Sequence, residues 1–408
     1  MDEEILGKTE VEKLERTHGW DTEQLLISRK AKELLVDSNF FDIVIKELDK
    51  EVVGETPARE VIFLCMNGRL VENARNTSYN VLVTDETGAG KDHLCKSVGK
   101  LFEEDKIFIH RTRISPKVLD YWHTKKEEEW NWNGKILYLE DVSYDILNSD
   151  TMKTFLSAGS KTTILKDQTA LDKEVKGKPI VIFTTSTTVP KSELLRRMNM
   201  LVLDTTINQT KEIAKRKCLE AKDGKIVEIN PEIIIAMNIL NRVKVKIPFA
   251  DKLGKWIDTI LEENIRVLFR TQIETFLDYI KAVTGIYQNQ REKDEKGYLL
   301  ATKQDYEIAK RCFEKMVSNP LMIPLTKEQI KTKELVKTFG NDDWVKITEL
   351  IEKITWWEMA NSYRQINKMV NLGIFDKDKE KYEGSDKFVG IIKVKELAPF
   401  KFPEFDML

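Results

Sequence analysis

The chain has 408 residues, with 66 Lys plus Arg against 68 Asp plus Glu and a formal net charge of −2. That length exceeds what one hydrophobic core fills, so roughly two to four domains are expected, and the cancelled charge excludes binding of nucleic acid by bulk positive charge. Four scattered cysteines without a Cys-x-x-Cys pair exclude a zinc ribbon or disulfide framework and imply a reducing, cytoplasmic setting. No signal-peptide pattern opens the chain, and no apolar run approaches the ~20 residues that span a bilayer.

Residues 8–48 read as helices, with one apolar stripe at Ile27, Ala31, Leu34 and Leu35 and another at Phe40, Phe41, Val44, Ile45 and Leu48. A further helix is expected within 51–71. The pattern then changes to short apolar runs alternating with helices. Strands are expected at 80–84, 106–110, 135–139, 178–184 and 201–203, with a helix at 93–102. Such alternation implies a mostly parallel sheet covered on both faces. Residues 208–318 read as helices only, and 325–395 as short helices with a strand pair.

The run 80–84 leads into Asp85-Glu-Thr87-Gly88-Ala89-Gly90-Lys91-Asp92-His93. A Gly-rich turn between a strand and a helix is the context in which backbone N–H groups and a helix N-terminus cradle phosphates. Thr87 to His93 are therefore the expected nucleotide contacts, with Lys91 reaching the β- and γ-phosphates. Two positions depart from the usual pattern, Asp85 for the first Gly and Asp92 for the Ser or Thr that follows the Lys. Asp92 is a hard oxygen donor, so it is an expected Mg²⁺ ligand. Its charge also weakens phosphate binding, and a decayed, non-hydrolysing loop is the alternative.

Some 50 residues later the strand 135–139 ends in Glu140-Asp141. Hydrolysis of a phosphoanhydride needs a neutralising metal and a positioned water. Glu140 aligns with the metal side and Asp141 with the catalytic acid, though the usual order is Asp then Glu and the roles can be exchanged. The strand 178–184 ends in Thr184-Thr185-Ser186-Thr187. A hydroxyl there lies between loop and acids; Thr185 is the first choice and Thr184 the next.

These parts, in this order, resemble the AAA+ core of MCM-type and related viral or plasmid replicative helicases, over roughly residues 50–318. Val52-Val-Gly54-Glu55 and the helix after it resemble the MCM entry to that core. The resemblance implies ATP and Mg²⁺ as cofactors, a homo-oligomeric (hexameric) ring, and an arginine finger at Arg197, favoured over Arg196. It implies a channel hairpin within 162–176, with Lys166, Lys173 and Lys176 toward DNA, and a second sensing arginine at Arg270 in Phe269-Arg270-Thr-Gln-Ile-Glu274. The N-terminal DNA-binding and zinc module of cellular MCM proteins has no counterpart in the roughly 50 residues before the core.

In the last region, Trp344-Val-Lys-Ile347 is strand-like, and Thr348 is the expected N-cap of a helix to residue 354. A second helix runs from Ser362 to Leu372 and ends at Gly373, followed by two strand-like runs around a Lys-rich turn. This resembles a winged helix, in which Arg364 and Lys368 of the second helix meet DNA while Lys377, Lys379, Lys381 and Lys387 meet phosphates.

The expected organisation is α/β: a helical segment (1–48), an AAA+ P-loop core with a parallel sheet (49–207), a helical lid (208–320), a winged-helix domain (325–396) and a tail (397–408). The expected function is an ATP-driven DNA helicase or translocase acting in replication. The alternatives are an origin-binding initiator or loader, and a nucleotide-binding scaffold without turnover.

Overall fold

The structure is a computed structural model. It describes the chain apart from residues 1–21, 85–87, 116–117, 120–121, 123–129, 167–168, 187–196, 225–227, 260–266, 318–326, 342, 372–373, 382–387 and 395–401.

Five short strands form one parallel sheet: β1 (Val81–Thr84), β2 (Phe108–Arg111), β3 (Ile136–Leu139), β6 (Ile180–Thr185) and β7 (Asn199–Leu201), in the order β2-β3-β6-β1-β7. β1, β3 and β6 are buried along their whole length, as near-continuous apolar runs in a doubly covered sheet require. The last strand lies at 199–201, two residues before the expected 201–203. Its start is pinned by backbone pairing, Asn199 N to Asn80 O at 2.7 Å, which apolar content alone does not register.

Helix α1 (Thr22–Leu34) and helix α2 (Phe40–Glu47) supply the expected stripes: Ala31, Leu35, Phe40, Phe41, Val44, Ile45 and Leu48 are buried. Helix α3 (Thr56–Asn67) is buried from Ala58 onward and forms the spine between sheet and helical region. Helix α4 (Lys91–Gly99) leaves the Gly-rich loop. After β3 come a one-turn helix, α5 (Tyr144–Leu147), and α6 (Asp150–Ala158), capped by Ser149 Oγ, which accepts from Met152 N. The expected insert then forms as an antiparallel hairpin, β4 (Ser160–Lys166) and β5 (Thr169–Val175).

Beyond β7, α7 (Ile207–Asp223), α8 (Pro231–Asn238), α9 (Ala250–Ile257), α10 (Val267–Ile286) and α11 (Lys303–Val317) dominate. This stretch is not helices only: Val245–Lys246 (β8) pairs in parallel with Leu299–Leu300 (β9), a two-residue ladder too short for any periodicity to signal. Nor do these helices separate from the core as a lid. Residues 22–186 and 197–317 belong to one compact unit, in which α10 packs on α3 and α8 on α1. The chain's end belongs to this unit too, with Phe402 stacked on Phe276 at 3.7 Å and Lys303 paired with Asp406.

A second unit lies within residues 327–394. Its described part has α12 (Lys327–Gly340), β10 (Val345–Lys346), α13 (Ile347–Lys353), α14 (Met359–Asn371), β11 (Phe375–Lys381) and β12 (Phe388–Val394). The strands form an antiparallel sheet ordered β10-β12-β11, around a core that includes Val336, Leu350, Ile366, Met369, Phe375 and Ile392. The strand-like run at 344–347 is β10, and it joins the expected strand pair in one sheet. Thr348 lies inside α13 and does not cap it; Lys346 holds the N-cap position without a side-chain bond. α14 starts three residues before Ser362, so Met359 is helical.

Candidate active site

The Gly-rich loop leaves the C-terminal end of β1. Gly88 and Gly90 both adopt φ of +90°, which favours glycine, and Gly90 is the N-cap of α4. A Cβ built at either would meet no atom within 4 Å, so the loop faces open space of the kind a phosphate chain fills. Ala89 lies between them and Thr87 lies outside the described residues. Lys91 is buried at the first turn of α4. His93 Nε2 lies 2.9 Å from Glu51 O and fastens α4 to the segment before α3.

Asp92 points at the ends of β3 and β6. Its Oδ1 accepts from Tyr138 OH at 2.9 Å and from Thr184 Oγ1 at 2.5 Å. Tyr138 sits in an otherwise aliphatic strand, where its buried hydroxyl needs a partner. Burial above all, then the neighbouring Cys95 and Asp92, pushes its phenol well above the usual range, so it stays a donor.

The strand ends are stitched together. Asp141 has φ of +43°, its N–H donates to Thr184 Oγ1 at 2.9 Å, and its carboxylate accepts from Ser186 Oγ at 3.1 Å. Thr184 Oγ1 therefore joins the loop acid to the strand acid. Thr185 is fully buried and its hydroxyl donates to Val142 O at 3.0 Å. The hydroxyl set between loop and acids is thus that of Thr184. Alternation along β6 sends the two threonines to opposite faces.

Glu140 has different company. Its Oε1 accepts from Lys96 Nζ at 2.8 Å, and its Oε2 lies 2.8 Å from His110 Nε2. Lys96 stands one turn after Asp92 on α4, and His110 near the end of β2.

Loop, lysine, carboxylates and hydroxyl converge where the parallel strands end, the place where open α/β sheets bind ligands. A family model described as the MTBMA_p00010 P-loop domain matches residues 26–244. The chain belongs to that P-loop family. The match runs from within α1 to just before β8, so it takes in the N-terminal helices as well as the sheet. No curated protein matches the chain. As a P-loop domain, the matched region has the architecture of a nucleotide-binding fold. Mg²⁺ typically takes one or two carboxylates plus substrate phosphates, and Asp92 and Glu140 are carboxylates at this sheet end.

Two expected arginines lie apart from this group. Arg197, just before β7, donates from Nε to Ser157 Oγ at 2.5 Å; Arg196 is outside the described residues. Arg270 is exposed on α10, and among the described residues no hydrogen bond or ion pair joins it to the loop or the acids. Its helix is fastened through Asp278, which accepts from Ser78 Oγ at 2.7 Å, ahead of the N-terminal end of β1.

The hairpin pairs Lys166 with Thr169 and Lys173 with Thr162, while Lys176 follows at its base, bridged to Asn131. In the second unit, Arg364 and Lys368 are exposed on α14 beside Tyr363 and Asn367. Lys377 Nζ donates to Asn367 Oδ1 at 2.8 Å, which brings β11 to that helix face. Along β11 lysines and acids alternate, so Lys377, Lys379 and Lys381 share one face and Asp376, Asp378 and Glu380 the other. Lys387 lies outside the described residues. No helix among the described residues is long and apolar enough to cross a membrane.

Proposed function

We infer that the chain is an ATPase of the AAA+ type that works on DNA as a helicase or translocase during replication, assembled as a homo-oligomeric ring. The observation that carries this reading is the Asp92–Thr184–Asp141 chain of hydrogen bonds beside the open Gly88–Gly90 loop. One hydroxyl linking the loop acid to the strand acid supports a reading in which these groups face a γ-phosphate and an attacking water. The loop amides and Lys91 bind the phosphates. Mg²⁺, when bound, neutralises developing charge on the phosphate oxygens. Asp141 accepts the proton of the water, and Thr184 keeps the loop acid and strand acid in register. Arg197, in this reading, serves a neighbouring subunit's nucleotide, and Arg270 is its more distant counterpart.

The DNA half of the reading rests on the second unit. Three helices and a three-stranded sheet ending in a long hairpin are the parts of a winged helix, with α14 as the helix that enters a groove. The sorted lysines of β11 continue the face of Arg364 and Lys368, and the acids point the other way, so duplex phosphates meet one sign of charge.

Phosphate release from Mg²⁺-ATP and displacement of a labelled strand from forked DNA, measured on one preparation, test this reading. Turnover with displacement is expected. Turnover without displacement points to an initiator or loader, and nucleotide binding without turnover points to a scaffold.

A further inference from the structure

Both oxygens of Glu140, the acid that strand alignment sets beside the metal, are already committed. An ammonium holds Oε1 and an imidazole holds Oε2, on a side chain only 20% exposed. A metal at Glu140 has to displace Lys96 and His110 from a half-buried carboxylate. Asp92 differs: two neutral hydroxyls share its Oδ1, and no described residue bonds its Oδ2. Hydroxyl donors orient a carboxylate and leave its charge in place, as the outer-shell partners of a metal ligand do.

The charges agree with this. The common loop pairs a neutral hydroxyl on the helix with one ionised acid on the strand. Here the helix carries the acid Asp92, and the strand acid Glu140 is matched by Lys96 from the next turn of the same helix. One uncompensated negative charge reaches the metal in either arrangement. The substitution at Asp92 and the clamp on Glu140 are thus two halves of one exchange.

We propose that Asp92 is the metal ligand supplied by this P-loop domain, and that Glu140 is a positioning residue clamped by Lys96 and His110. The assignment rests on the reading of the loop as an Mg²⁺-nucleotide site. It is tested by binding rather than turnover: Mn²⁺ is titrated into the full chain saturated with a non-hydrolysable ATP analogue, and free Mn²⁺ is read by electron paramagnetic resonance. Asp92→Asn keeps an oxygen for Tyr138 and Thr184, and Glu140→Gln keeps one for Lys96, so both substitutions preserve the local bonds. Asp92→Asn is expected to weaken Mn²⁺ about tenfold or more. Asp92→Ser, which restores a hydroxyl ligand, recovers part of that loss, and Glu140→Gln leaves Mn²⁺ affinity at the parent value. Loss of Mn²⁺ in Glu140→Gln, alone or together with Asp92→Asn, overturns the assignment, as does parental affinity in Asp92→Asn. A parent chain that fails to hold the analogue at all is a different result, and it removes the nucleotide reading together with the assignment.

Discussion

At the loop end of the central sheet, Asp92, Glu140 and Asp141 each meet named partners drawn from α4, β2, β3 and the end of β6. On the C-terminal module, Lys368 and Lys379 are exposed and have no ion-pair partner among the described residues. The first arrangement holds charge in place at a half-buried site, where an unpaired group costs most. The second leaves charge in water, where alternation along one strand is enough to sort it by sign. Preorganised polar groups suit chemistry on a small, fixed substrate. A sorted, solvated face suits a long polyanion whose contacts are interchangeable.

The comparison can be broken most severely at Lys91. Lys91→Ala is expected to lower ATP turnover by ~100-fold or more, as loss of a transition-state donor does. Circular dichroism and the melting temperature should stay near parent values, and DNA affinity measured without nucleotide should be unchanged. A folded Lys91→Ala chain that turns over ATP normally would remove the loop from the account.

The two threonines of β6 sharpen the contrast within the core. Thr184→Val cuts the link between Asp92 and Asp141 and should cost on the order of 100-fold in turnover, the size expected when reacting groups lose register. Thr185→Val strands Val142 O and should cost ~1–3 kcal/mol of stability. Turnover per folded molecule should then stay near that of the parent. Equal turnover losses in the two variants would mean that position along β6, rather than the Thr184 hydroxyl, is what matters.

On the module, replacing Lys377, Lys379 and Lys381 together with Ala should flatten the plot of log DNA affinity against log salt by up to ~3 units of slope. Replacing Asp376, Asp378 and Glu380 should leave affinity equal or higher. Equal weakening by both triples would show that the hairpin does not present one face to DNA.

The smallest effect at neutral pH concerns the buried phenols. Burial, first among the causes, raises Tyr79, Tyr138 and Tyr279 above their ordinary value. A group whose folded pKa is raised contributes stability that is fully present below its unfolded pKa and is lost as pH rises beyond it. Stability should therefore be indifferent to these groups up to about pH 10, the unfolded value, and fall above it. Urea midpoints measured from pH 7 to 11 check this, and a Tyr138→Phe chain should show a shallower alkaline fall.

Much of this was legible in the residues. The strands show as apolar runs because both faces of the sheet are covered, and the Gly-Ala-Gly-Lys turn shows because few other uses need glycines there. The roles of Lys96, His110 and Tyr138 are not legible in the sequence because they depend on the order β2-β3-β6-β1-β7, which hydrophobic pattern does not specify. A polar signal was present at Tyr138, a lone phenol in an aliphatic strand, and at Lys96, four residues after the unusual Asp92. The helix Lys327–Gly340 has little signal in the sequence because its apolar stripe is thin, Ile330, Leu335 and Val336 among many lysines. β8 and β9 are two residues each, below the reach of any alternation rule.

The most direct test is steady-state phosphate release from Mg²⁺-ATP by the full chain as single-stranded DNA is added. The account predicts turnover that rises and saturates with DNA, weakens as salt is raised, and vanishes in Lys91→Ala. Turnover that ignores DNA at every salt concentration would contradict it.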